Sequence, residues 1–112
     1  MSPERLPDNV RAAIRSESDQ SFVSVASIWE IAIKARLGKL HAPDELPSLI
    51  ANDPDYDVLP ITPEHAWRVR RLPLLHRDPF DQLLIAQALV EDLTIVTHDR
   101  AVSSYGARTI MI

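Results

Sequence analysis

Four carboxylates in this chain are spaced so that a single metal ion could join them: Glu30, Asp78, Asp81 and Asp99. Asp78 and Asp81 open the run Asp78-Pro79-Phe80-Asp81-Gln82-Leu83-Leu84-Ile85-Ala86-Gln87-Ala88-Leu89-Val90, and Asp99 follows Leu93-Thr94-Ile95-Val96-Thr97. The first run reads as a helix and the second as a buried strand. A helix followed by a strand returns the chain to the edge where the helix began, so these three acids should meet at one edge of a sheet. Glu30 lies in the first turns of a helix that follows an apolar strand, and in a parallel α/β sheet such a helix starts at the strand carboxyl edge. Carboxylates on one rim repel one another unless a cation neutralises them. Oxygen donors without cysteine suit Mg²⁺ or Mn²⁺. Such an ion polarises a phosphate, lowers the pKa of a bound water and stabilises the charge that develops in phosphodiester cleavage.

Each acid also has a local explanation. Asp78 is a good N-cap before Pro79, and Asp81 falls where the helix dipole favours an anion. Ser27-x-x-Glu30 matches a capping box, with Lys34 one turn further on as an ion-pair partner. Ser24 and Thr97 could hydrogen-bond ligands or water, or serve only as a cap and a strand end.

The elements that would hold these residues alternate between helix and strand. Residues 2–16 read as a helix with Leu6, Val10, Ala13 and Ile14 on one stripe. Residues 22–25 read as a strand, followed by a helix to about Leu37 that Gly38 stops. A short helix is expected over 45–52. Residues 58–61 suit an edge strand, because Pro60 cannot donate to a ladder. Thr62 caps a helix that opens with Pro63 and runs to about Leu72. The acidic helix and strand 93–97 come next, then a helical turn over 100–105 and a final strand over 108–112. The alternation predicts one α/β domain over residues 1–112, three layers deep, with a parallel sheet between helices.

Composition narrows the field. A chain of 112 residues with 46% hydrophobic and 25% charged residues suits one globular domain with a modest core. Without cysteine there is neither a disulfide framework nor a thiolate metal site, which is compatible with a cytoplasmic setting. No apolar run reaches the ~18 residues of a membrane span. A net charge of −4 argues against coating of nucleic acid by bulk charge, so an RNA-binding protein would need a locally basic face. Arg68, Arg70, Arg71, Arg77 and Arg100 could supply one. The four histidines (His41, His65, His76 and His98) show no ligand spacing and read as surface or capping residues. Trp29 is expected in the core, and Trp67 either there or on a partner-binding surface. Two glycines leave no material for a phosphate-cradling loop.

Two blocks together carry a family resemblance. His-Arg-Asp-Pro-Phe-Asp-Gln-Leu-Leu-Ile-Ala-Gln-Ala from His76, with Ile-Val-Thr-His-Asp-Arg from Ile95, resembles the C-terminal half of a PIN domain. Phe-Val-Ser-Val-Ala-Ser-Ile-Trp-Glu-Ile-Ala-Ile-Lys, from Phe22, resembles the other signature of its VapC-type ribonuclease toxins. The resemblance implies a Mg²⁺- or Mn²⁺-dependent endoribonuclease with Glu30, Asp81 and Asp99 as metal and catalytic residues and Asp78 in support. It also implies a cognate antitoxin as inhibitor and a homodimer. Members of this group begin with a central strand ending in Asp, which has no counterpart here. The chain therefore reads as N-terminally truncated relative to the family, with about four strands left and one acidic ligand missing. The other reading is a catalytically inactive PIN remnant that serves in antitoxin binding or dimerisation.

Overall fold

The computed structural model describes residues 12–15, 20–73, 78–97 and 109–111. In chain order the elements are β1 (Ala12–Arg15), β2 (Ser21–Ser24), α1 (Val25–Arg36), α2 (Leu46–Ala51), β3 (Tyr56–Leu59) and α3 (Pro63–Arg68). After α3 come a 3-10 turn (Val69–Arg71), α4 (Pro79–Glu91), β4 (Thr94–Thr97) and β5 (Thr109–Met111). The expected helical turn over 100–105 and the first part of the expected N-terminal helix lie outside the described residues.

Among the described residues, five strands form one sheet in the order β3-β2-β1-β4-β5. The outer pairs, β2 with β3 and β4 with β5, are parallel, whereas β1 runs antiparallel to both neighbours. This corrects three expectations. The stripe over 2–16 is not one helix, since Ala12–Arg15 is a strand. The sheet is mixed and not wholly parallel, and it has five strands, not about four. The slot between β2 and β4 is filled by Ala-Ala-Ile-Arg, which pairs on both sides and satisfies backbone groups that an open gap would strand.

Side-chain alternation along the strands builds a core on each face. Phe22 and Leu59 point to a cluster formed by Leu72, Leu84, Ile85, Ala88 and Ile95 beneath α4. Their neighbours Val23 and Val58 point the other way, to Ile31, Leu46, Ile50 and Tyr56 beneath α1 and α2. Helices thus cover both faces, and the three-layer α/β/α expectation holds.

The helix ends follow local chemistry. Ser24 caps α1, its Oγ accepting from the amide of Ala26 at 3.0 Å. Gly38, at φ +74°, closes α1: its amide donates to the Ala35 carbonyl and that of Lys39 to Lys34, the paired bonds of a left-handed helix stop. Asp92, at φ 56°, ends α4 in the same conformation without being glycine. Pro60 sits just past β3, an edge strand as expected.

Candidate active site

The direction of the strands decides where the acids lie. Both β2 and β4 run antiparallel to β1, so they are parallel to each other and end at the same sheet edge. Extending the register across β1 places Ser24 and Thr97 in one row, level with Ala12. Helix α1 starts from the end of β2, and α4 runs back from this edge into β4. Both helix starts therefore belong to one edge.

Glu30 and Asp81 are each buried, with 7% and 6% of their surface exposed. The residues preceding them meet directly: the rings of Trp29 and Phe80 touch edge to face, with centroids 4.6 Å apart. That contact fixes the start of α4 against the second turn of α1. Trp29 is 47% exposed, so it lies at this rim and not in the core as expected. Glu30 is engaged by Lys34, whose Nζ donates to Oε2 at 2.9 Å. The capping-box reading of Glu30 does not hold, because α1 is capped by Ser24 three residues before Ser27.

Asp78 is the N-cap of α4 as expected; its Oδ1 accepts from the amide of Phe80 at 2.9 Å and, more weakly, of Asp81 at 3.4 Å. Those bonds occupy it in holding the helix start. Asp99 lies outside the described residues, as do His76, Arg77, His98 and Arg100. Among the described residues no group of three or more His, Cys, Asp or Glu side chains is close enough to hold a metal ion. The described part of the edge thus contributes two buried carboxylates. Their hard oxygen donors suit a divalent cation of the Mg²⁺ type.

Ser24 has a second role that its spacing did not reveal. Its hydroxyl is buried and donates to Oε1 of Gln87, near the middle of α4. Gln87 Nε2 in turn donates to the Pro60 carbonyl at 3.2 Å and approaches His65 Nδ1 at 3.4 Å. His65, 1% exposed, also receives the Thr62 amide at Nδ1 (3.1 Å) and meets Glu91 Oε2 through Nε2 (2.7 Å). With Nδ1 accepting, Nε2 is the protonated nitrogen, and it donates to the Glu91 carboxylate. His65 is therefore a capping residue, one of the two roles expected for the histidines, with Thr62 as its partner, and it lies in the interior. The histidine and Gln87 lock α3 to α4, and Gln87 ties both to the end of β2. Apart from the local Thr62–His65 bond, no short-range pattern announces this chain, since its other partners are 22 to 63 residues apart in sequence.

A three-layer α/β domain with a mixed sheet and two buried acids on helices that start at the carboxyl edge of β2 and β4 has the layout of an α/β domain that binds its ligand at that edge. The chain is a member of the PIN domain family, whose model matches residues 1–107. PIN domains are in general nucleases, and the coarse reading of this chain as a nuclease follows. No curated protein matches it in sequence.

Proposed function

We propose that this PIN domain is a metal-dependent endoribonuclease of the VapC toxin type. Glu30, Asp81 and Asp99 would hold Mg²⁺ or Mn²⁺, with Asp78 fixing the start of α4. Bound there, the cation would supply Lewis-acid chemistry to an RNA phosphodiester. The chain's own contribution is orientation: Asp78 fixes the first turn of α4, and the Trp29–Phe80 contact fixes that turn against α1. The single observation that carries the reading is the burial of Glu30 and Asp81 on two helices held together at one strand edge. A cognate antitoxin, a homodimer and a cytoplasmic setting complete the proposal.

The test is cleavage of single-stranded RNA with Mn²⁺ or Mg²⁺, with and without chelator, beside an Asp81→Asn variant. Cleavage that needs metal and is lost in the variant is the expected result. Metal-independent cleavage, or activity indifferent to the substitution, would overturn it.

Two observations favour the inactive-remnant reading. Lys34 already neutralises Glu30, and among the described residues of the central strand, Ala-Ala-Ile-Arg, there is no acid. If Mn²⁺ neither raises the melting temperature nor binds measurably by calorimetry, this reading replaces the first, and function rests on protein contacts alone.

A further inference from the structure

The molecule is acidic overall, so an RNA strand needs a local cationic site. One lies away from the acidic edge, in a cleft of about 210 Å³ lined by Glu64, Trp67, Arg68, Arg70, Arg71 and Val90. Trp67 is 68% exposed, an unusual cost for the largest aromatic side chain. The Arg70 guanidinium lies over one side of its ring, 4.7 Å from the centroid, within cation–π range. That contact holds the indole in place, and its exposure leaves the rest of the ring to solvent. Among the described residues, Arg68, Arg71 and Glu64 form no ion pair with any neighbour. Three guanidinium groups against one carboxylate leave the cleft cationic.

We propose that this cleft holds an unpaired stretch of RNA, with a base stacked on Trp67 and its flanking phosphates on Arg68 and Arg71. An immobilised aromatic face beside planar guanidinium groups is the combination that grips single strands, because every base offers a π-face and every link a phosphate. An acidic peptide would use the charges but not the exposed ring. The position also suits a strand that reaches the acidic edge. Val90 lies nine residues along α4 from Asp81, about 13 Å at the usual helical rise, a gap that a few nucleotides span. The inference rests on RNA being the substrate, but it concerns affinity and not cleavage.

The experiment measures binding of a fluorescently labelled single-stranded RNA octamer to the full chain in chelator, where the cleavage proposed above is silent. Trp67→Leu should weaken binding about ten-fold, and Arg68→Gln with Arg71→Gln should flatten the salt dependence by roughly 1.4 in log–log slope, the share of two phosphates. Both variants alter exposed or half-exposed positions, and unchanged melting curves confirm that they fold. The same sequence as a duplex should bind more weakly, because its bases are already stacked. Unchanged affinity in Trp67→Leu overturns the proposal, and so does a polyglutamate peptide that competes as well as RNA, which would assign the cleft to a protein partner. Loss of cleavage with intact, Trp67-dependent binding would count against the nuclease reading and leave the cleft standing.

Discussion

In its C-terminal half, α4 places Gln87 and Glu91 in a chain of hydrogen bonds that runs from Ser24 through His65. In its first turn it places Asp81, a buried anion, beside the helix that carries Glu30. The first region follows the rule for buried polar groups: each donor meets an acceptor, and removing one member strands the rest. The second buries Glu30 and Asp81 on two helices joined by the Trp29–Phe80 contact, with Lys34 beside Glu30. One helix thus carries a joint that holds the fold and an edge suited to chemistry. Substitutions at the two ends should separate folding from activity.

The largest effect is expected at the joint. Gln87→Ala would leave the Ser24 hydroxyl and the Pro60 carbonyl short of a partner and open a cavity beside His65, at a cost of roughly 3 kcal/mol of folding free energy. Denaturant titration reads this directly, and any cleavage activity should fall only in step with the folded fraction. A loss under about 1 kcal/mol would mean that the joint is looser than its geometry. Next is Asp81→Asn at the other end, which should reduce metal-dependent cleavage by more than about 100-fold, beyond the loss typical of a group that only supports a ligand. Its stability should fall by less than that of Gln87→Ala, by about 1 kcal/mol, because the amide keeps the shape of the carboxyl and most of its hydrogen-bonding capacity. If the two variants instead behave alike, both ends of α4 are structural and the contrast between them fails.

A smaller, purely conformational effect belongs at Gly38. No atom lies within 4 Å of where a Cβ would stand, so Gly38→Ala meets no clash and costs only left-handed backbone strain, about 1 kcal/mol. It should lower the melting temperature by a few degrees and leave cleavage untouched.

What could be read from the sequence divides along the same line between local and distant causes. The Asp78-Pro79 start of α4, the Thr62-Pro63 start of α3 and the Gly38 stop are set by neighbours within four residues, and each appears where expected. The strand Ala12–Arg15 was not legible. Ala-Ala-Ile-Arg has helix-forming composition, and its extended form is imposed by ladders to β2 and β4 on either side. His65 was legible as a cap but not as a core residue, because its burial depends on Gln87 and Glu91 from a later helix. Trp29 reads as core by residue type, yet it serves as a rim contact for Phe80. The acids at 30 and 81 were placed at one edge by the alternation of strand and helix, and strand direction and ring contact put their helices side by side there. Asp99, the third acid, lies outside the described residues.

The smallest predicted change in stability is the one that bears most closely on the acidic edge. Lys34 reaches Glu30 across one helical turn, a partly exposed i,i+4 pair worth no more than about 0.3–0.5 kcal/mol before solvent screening reduces it. Lys34→Met should therefore leave the melting temperature within a degree or two. The same ammonium group competes with any cation for the Glu30 carboxylate, so its removal should tighten Mn²⁺ binding measured by calorimetry. The two observables then move independently, which a purely structural ion pair would not allow. Unchanged Mn²⁺ affinity in Lys34→Met would make Glu30 a partner of Lys34 and not a metal ligand. The gathering of charge at that edge would then reduce to Asp81 and the helix dipole it faces.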